Sequence, residues 1–446
     1  MHWNGDWRAR ITTADRALAA VKSGQRVYVH NGCAEPLELI AALTRRGPEL
    51  EDVEVLHTAT MGPAGYTRPE FEGHFRHNSL FSGENVRAAL RDGRADYTPV
   101  FLSEIEGLFR SGALPIDVCL LQCTPPDRLG YMTLGPSIDY SLAAAERAHH
   151  VIVEINDRAP HTSGDSLLHV SRVDAFIETS HPLAEYPPPE ISSAHRAIAR
   201  RVAALIPDGA TLQTGIGAIP QAVLEFLRDH KDLGVHSELI SDGVIDLIEA
   251  GVINCRRKTL HPHKVVAGFA LGTRRLFDFI DHNPIFEFHP SAYTNDPFVI
   301  AQNDSMVAIN AAIEIDLTGQ VCSDSMGRTP FSGIGGQVDF IRGAARSKGG
   351  VPIIALPSTA KGGQVSRIVP TLQPGAGVVT SRGDVHYVIT EHGVAFLHGK
   401  SLRRRAEALI RLAHPRFREE LTEYAIESKL LSRHTLLVDA GVGVLR

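Results

Sequence analysis

One pattern, met twice, constrains this 446-residue chain more than anything else in it. The run from Val21 through Gly24 to Gly32 reappears as the run from Ile206 through Gly209 to Gly217, with both glycine pairs 185 positions apart. In each copy a helical stretch ends at a glycine and a short β-rich run follows. A glycine loop comes next, and a proline, Pro36 or Pro220, opens another helix. A strand that passes through a glycine turn into a helix is the building unit of parallel α/β sheets. Two copies of it predict two related α/β domains, each with a mainly parallel sheet covered by helices.

The break between them is set by proline. From His181-Pro182 to Pro187-Pro188-Pro189-Glu190 the chain forbids helix and disfavours any central strand, so the expected domains are residues 1–186 and 187–446. Before the break, stretches alternate in type: helical at Ala14–Lys22, Pro36–Thr44 and Val86–Asp92, strand-like at Arg26–His30, Val53–Ala59, Asp117–Cys123 and Val151–Asn156.

Charge and composition narrow the function. The 45 basic residues against 51 acidic ones leave −6, without the basic footprint of a nucleic-acid binder, so small molecules are the expected partners. Hydrophobic residues at 43% and charged ones at 22% describe an ordinary globular chain, neither disordered nor fibrous. Met1–Arg10 mixes Trp3, Asp6, Trp7, Arg8 and Arg10 with no apolar run after it, which predicts no secretory leader and a cytoplasmic location. Apolar runs such as Val265–Leu271 and Val351–Leu356 are strand-length, too short for a membrane span. The five cysteines, including Cys119 and Cys123 in a strand-like stretch, read as buried thiols.

Four segments carry the candidate chemistry. Thr211-Leu-Gln-Thr-Gly215-Ile-Gly217 is a strand entering a glycine turn before a helix, which aims backbone N–H groups at an anion or simply makes a tight turn. Pro220 replaces the third glycine of the dinucleotide fingerprint, so neither nicotinamide nor flavin is expected. In His236-Ser-Glu238-Leu-Ile-Ser-Asp242-Gly243 a short strand runs into a loop and a helix over Val244–Ala250. Glu238 falls at the carboxyl end of that strand, where open α/β sheets place ligands, although a solvated acid fits too, and Asp242 reads as the helix cap. Phe331-Ser-Gly333-Ile-Gly335-Gly336-Gln337 to Phe340 exposes consecutive amides beside strand-like residues, an anion nest or a turn. Ser358-Thr-Ala-Lys361-Gly362-Gly363, after the strand Val351–Leu356, offers a cation on flexible backbone. His261-Pro-His263, with His282 and His289 nearby, lacks zincin spacing and shows no acid–histidine pair to complete a ligand set, so no metal is expected.

Longer motifs then fall into place. Gln213 to Pro220, Ser237 to Gly243, Phe331 to Phe340, Thr359 to Pro370 and Thr390-Glu-His-Gly-Val-Ala395 follow one another in order, with Asp96-Tyr97-Thr-Pro99 and the stretch from Pro125 to Gly135 in the first half. Through them the chain resembles the acetyl-CoA hydrolase/transferase family, in particular its butyryl-CoA:acetate and 4-hydroxybutyrate CoA-transferase branch. Ser237, Leu239 and His392 depart from the residues that the family often places there.

The resemblance implies coenzyme A and acyl-CoA as substrates, a small carboxylic acid as acceptor, and a homo-oligomer as one state open to it. It implies that Glu238 attacks the acyl-CoA thioester and then carries CoA as a glutamyl thioester, with Asn295 contacting the reacting carboxylate or carbonyl. Gly335 and Gly336 would supply oxyanion donors. Gln213, Thr214, Gly215, Ile216, Gly217, Ile313, Gly333, Gly336, Lys361, Gly362 and Gly363 would bind CoA. Acetate, butyrate, 4-hydroxybutyrate and a small dicarboxylate such as itaconate all stay open as acids, with the loop His57–Tyr66 expected in the acid pocket. A hydrolase on the same fold and a non-catalytic CoA-binding module are the competing readings.

Overall fold

The structure, a computed structural model, describes residues 6–432. Its first half builds a seven-stranded sheet from β1 (Arg26–Val29), β2 (Val53–His57), β3 (Phe75–Ser79), β4 (Ala95–Tyr97), β5 (Val118–Cys123), β6 (His150–Asn156) and β7 (Ala175–Thr179). These lie in the order β4-β3-β2-β1-β5-β6-β7, and every pairing is parallel. The chain therefore winds outward from β1, returns beside it, and winds out the other way.

The second half repeats the plan with β8 (Thr211–Thr214), β9 (Gly234–Ile240), β10 (Val265–Ala270), β11 (Phe286–Phe288), β12 (Met306–Ala311), β13 (Val351–Ala355) and β14 (Tyr387–Thr390). Their order is β11-β10-β9-β8-β12-β13-β14, the same permutation, and all pairings among them are parallel. One further strand, β15 (Gly393–Phe396), adds antiparallel to β14. The matched glycine loops follow β1 and β8, the strands at which the order reverses. Two related α/β units, each with a mainly parallel sheet, are what the repeat predicted.

Burial explains why these segments are strands. Parallel sheets are covered on both faces and read as continuous apolar runs, and all six residues of β5 are buried, as are the last six of β6. Along β1, Val27 and Val29 enter the apolar cluster on one face with Leu39 and Leu43 of the helix α1 (Leu37–Arg45), while Tyr28 enters the cluster on the other. That second cluster runs across both halves, from Tyr28 and Leu121 to Leu212 and Ile353. All five cysteines are free, buried thiols. Among the described residues no helix is long and apolar enough to cross a membrane.

Some local readings need correction. Ala14–Lys22 holds only four α-helical residues, Ala14–Ala17, followed by a 3-10 turn at Leu18–Ala20. Pro220 does not open its helix α2 (Ala218–Glu225) but is its third residue, inside the first turn, where a missing N–H has no carbonyl to serve. Val338 to Phe340 are helical, in α3 (Gln337–Arg346), because the glycine cluster ends in a helix start rather than a strand. The short strands β3, β4 and β7 escaped notice because polar residues such as Arg76, Asn78 and Asp96 interrupt their apolar pattern.

Candidate active site

The carboxyl ends of the two sheets face a shared cavity of about 320 Å³. From the second half it is lined by Gln213–Ile216 after β8, by Glu238 and Leu239 of β9, and by Ser332–Gln337. From the first half come Asn31 and Gly32 after β1, Thr58 and Ala59 after β2, Phe81 after β3, and Arg87, Asp139 and Tyr140. The halves are joined around it by backbone. Leu102 N–H donates to the Gly335 carbonyl at 3.1 Å, Ser82 N–H to that of Ser332 at 3.0 Å, and Ile138 N–H to that of Gly268 at 3.1 Å.

Glu238 owes its direction to a break in the sheet. β8 and β9 start in register with Thr211 opposite Gly234 and Leu212 opposite Val235, but Thr214 then stands opposite Leu239. β9 therefore carries two extra residues between Val235 and Leu239, the stretch that holds Ser237 and Glu238. Ser237 fills the missing rung with its side chain: its hydroxyl donates to the Thr214 carbonyl at 3.1 Å and accepts from the Thr214 N–H at 3.2 Å. Bulges of this kind re-aim a side chain without ending the sheet.

Two donors hold the Glu238 carboxylate. Asn295 Nδ2 donates to Oε2 at 2.9 Å, and the Gly336 amide donates as well. Asn295 follows the short helix α4 (Ser291–Thr294), and its own Oδ1 is buried with no partner. Gly336 sits at the N-cap of α3, so the positive end of that helix also faces the acid. Although Glu238 as a residue is only half-buried, its carboxyl group is enclosed, and burial pushes its pKa up to about 7 against the pull of the two donors. A carboxylate desolvated in this way is more basic, and once ionised a better nucleophile, than one in water.

The glycine cluster is fitted to this acid. A Cβ on Gly336 would lie 2.0 Å from Glu238 Oε2 and 2.2 Å from Asn295 Nδ2, so no side chain fits there. Its neighbour Gly335, with φ of +58°, makes the turn. Asp339, in the first turn of α3, accepts from the Ser103 hydroxyl at 2.9 Å and is pushed up to about 7 by burial.

Of the expected site residues, the structure brings Gln213, Thr214, Gly215, Ile216, Glu238, Gly333, Gly335 and Gly336 to one cavity, with Asn295 directly behind Glu238. Gly217 lines a smaller adjoining pocket with Tyr186 and Pro188. Ile313, whose N–H donates to the Cys322 carbonyl, and the open hairpin turn at Lys361, Gly362 and Gly363 do not line the main cavity. Asp242 stands at the N-cap position of the helix Gly243–Glu249, yet its carboxylate accepts instead from the Thr273 N–H and hydroxyl at 2.9 and 2.5 Å.

Several lining residues went unread. Asp139 is buried, accepts from the Ser137 hydroxyl at 2.8 Å and from Asn31, and leaves Oδ1 without a partner. Burial, with Glu238 nearby, holds its pKa well above the usual carboxylate range. Of the loop His57–Tyr66, Thr58 and Ala59 reach the cavity, whereas His57 and Tyr66 pack edge to face in the interior. The histidine reading also changes: Glu287 supplies the missing acid, and ligand atoms of His261, Glu287 and His289 lie within 4.8 Å of one another.

Residues 1–184 match the acetyl-CoA hydrolase/transferase N-terminal domain, and residues 272–425 match the C-terminal domain of the same family. The chain is 51% identical over 421 residues to a 4-hydroxybutyrate coenzyme A transferase of Clostridium kluyveri, covering 94% of this chain and 98% of that one. It is 49% identical to a succinyl-CoA:acetate/propanoyl-CoA:succinate CoA transferase of Fasciola hepatica, over 93% of this chain and 87% of the other. The crystal structure of a 4-hydroxybutyrate CoA-transferase from Porphyromonas gingivalis superposes with a TM-score of 0.82 at 41% identity, covering 95% and 98% of the two chains.

Proposed function

The chain belongs to the acetyl-CoA hydrolase/transferase family, and from that premise we propose that it moves coenzyme A from an acyl-CoA to a small carboxylic acid by way of a thioester on Glu238. The observation that carries this reading is the Glu238 carboxylate: poised near neutrality, held by Asn295 and the Gly336 amide, and set on the wall of the cavity between the two sheets.

The chemistry needs no cofactor and no net proton. A Glu238 oxygen attacks the thioester carbonyl, a C–O bond forms, the C–S bond breaks, and CoA leaves as a thiolate with an acyl-glutamyl anhydride behind it. The thiolate attacks the glutamyl carbonyl of that anhydride, releases the first acid as its carboxylate, and leaves CoA on Glu238. A second carboxylate then runs both steps in reverse. An enzyme-held carboxylate keeps the acyl activation that water would destroy. The Gly335 and Gly336 amides are assigned to the oxyanions, and one such donor contributes roughly 2.7–4 kcal/mol in other acyl-transfer sites.

The same reading assigns the substrates to parts of the site. Gln213–Ile216 and Gly333 meet the thioester end of CoA, and Gly217, Ile313, Lys361, Gly362 and Gly363 are assigned to its more distant parts. The acid sits where Phe81 and Leu102 of the first half meet Phe331 of the second, an apolar wall suited to a short carbon chain. Arg87, with Nε donating to the Phe331 carbonyl at 2.7 Å, is the cation on that wall. A panel of acetate, butyrate, 4-hydroxybutyrate and small dicarboxylates assayed with acetyl-CoA would rank the acceptors.

The mechanism is tested by mass. Intact-protein and peptide mass spectrometry after incubation with acyl-CoA is expected to show one CoA adduct on Glu238, removed by the acceptor acid and trapped as the alcohol by borohydride. An active preparation in which Glu238 stays unmodified overturns the reading. The hydrolase alternative shares every step up to the thioester and differs in letting water take it, so free thiol released without an acceptor acid separates the two. A mere CoA-binding module leaves the perturbed Glu238 carboxylate without a role.

A further inference from the structure

The chemistry proposed for Glu238 leaves unused a second cluster at the far edge of the same sheet. Glu287 belongs to the edge strand β11, His289 follows directly, and His261 comes from the turn before β10. Glu287 Oε2 lies 2.7 Å from His261 Nδ1 and 3.5 Å from His289 Nε2, and the three ligand atoms share a space no wider than 4.8 Å. His261 and Glu287 are partly open to solvent, with side-chain exposures of 26% and 23%, whereas His289 is buried at 10%; the open pair gives an ion a way in.

We propose that His261, Glu287 and His289 form a binding site for a divalent transition metal, with zinc the ion that the ligand set fits best. Two imidazole nitrogens and a carboxylate are a zinc-type donor set. Around a tetrahedral ion with bonds of ~2.0–2.1 Å, ligand atoms stand about 3.3 Å apart; the 2.7 and 3.5 Å separations from Glu287 bracket that value, and the two histidine nitrogens, within 4.8 Å of each other, close onto the ion by side-chain rotation.

The outer partners fit as well. A metal-bound histidine engages its other ring nitrogen with a carboxylate or another polar group, which sets tautomer and orientation. Here His289 Nδ1 bonds Asp165 Oδ2 at 2.9 Å, and His261 Nε2 bonds the Tyr293 hydroxyl at 2.7 Å. Lys264 Nζ approaches the other Glu287 oxygen, Oε1, at 3.6 Å, leaving Oε2 to the ion. His282 stands apart, stacked on His161 at 4.5 Å.

The site's position gives the ion a task. Asp165 belongs to the first half, where residues 163–165 run along β11: Phe288 N–H donates to the Ser163 carbonyl and Asp165 N–H to that of Phe288, both at 2.8 Å. Tyr293 stands two residues before Asn295 on α4. A metal on His289 and His261 therefore clamps the first half against this sheet edge and steadies the helix that leads to the Glu238 donor.

Zinc loading of the full chain tests the proposal. Protein stripped with chelator, desalted and loaded with Zn²⁺ alone is expected to retain one equivalent by elemental analysis and to melt a few degrees higher. Co²⁺ in its place should give the visible bands of a four-coordinate site. His261→Gln, and independently His289→Ala, should reduce retention to background, while His282→Ala should retain the full equivalent. No stoichiometric retention, equal retention by His261→Gln, or a thiolate-to-cobalt charge-transfer band each overturns it, the first pointing to a proton-sharing histidine–carboxylate network. If His289→Ala melts early even without metal, His261→Gln decides. The CoA adduct on Glu238 in the same preparations reports the transferase separately.

Discussion

Strands β1 and β2 pair in unbroken register, Arg26 opposite Glu54 through Tyr28 opposite Leu56, whereas their counterparts β8 and β9 fall out of step between Leu212 and Thr214. At the end of β2 the first half places Thr58 in the cavity wall, with its hydroxyl accepting from Tyr140 at 2.6 Å. The second half places Glu238 in the break itself. One plan thus serves two ends: the regular copy gives an unbroken wall of the cavity, and the copy with the bulge sets a carboxylate in that cavity. The distortion is local because Ser237 replaces the lost backbone rung, so the rest of the β9–β10 pairing runs on.

The largest effect is expected where the second half departs most from a plain turn. Gly336→Val puts a side chain onto Glu238 Oε2 and Asn295 Nδ2, so turnover should fall by ~10³-fold or more. With φ at −95° the position tolerates any residue's backbone, and the melting temperature should move by only a few degrees. Gly335→Val, at φ of +58°, should instead cost ~1–3 kcal/mol of stability. Turnover and thermal melting on the same two preparations check this, and a Gly336→Val protein that melts early but turns over normally would remove the oxyanion assignment.

Asn295→Ala is expected to act less strongly, slowing turnover by about 100-fold, and it carries a pH signature. As the proposed nucleophile, Glu238 must be ionised, so activity should fall as pH drops through about 7. Removing a donor that favours the charged form raises the pKa further, which moves this acid limb upward. A pH profile of kcat/KM reads it, and an unmoved limb would show that Asn295 does not hold the nucleophile.

The smallest effect tests the bulge. Ser237→Ala leaves the buried N–H and carbonyl of Thr214 without their side-chain partner, at a cost of ~1–3 kcal/mol. Thermal melting should drop by several degrees while the CoA adduct still forms on Glu238. A melting temperature equal to that of the parent chain would mean that the broken rung needs no bridge.

Much of this was legible residue by residue. The glycine loop after β8, the acid on β9 and the Gly333–Gly336 cluster are each local patterns, and local patterns survive in any context that lets the chain turn. Asn295 had no such signal of its own and entered only through likeness to a family. The pocket-lining Asp139 passed unnoticed because nothing about an Asp after Ile138 announces that its carboxyl will be buried. Asp242 misled for the opposite reason, since a good capping residue beside a helix start was drawn away by Thr273, which arrives from the next strand's loop.

What the sequence by itself determined is the architecture and the place of one carboxylate, Glu238, at a strand end. Alternating apolar runs, glycine turns and helix starts are set by neighbours within a dozen residues, and repeating them at an interval of 185 leaves little choice but two parallel sheets. Tertiary structure decided the rest. The Glu238 carboxyl is raised to about 7 because burial against chain segments 57 and 98 positions away outweighs the hydrogen bonds those segments donate, and the bulge exists only relative to β8. The histidine cluster waited on Glu287 for the same reason: charge, burial and coordination depend on distances in space, which strand order sets and spacing along the chain does not show.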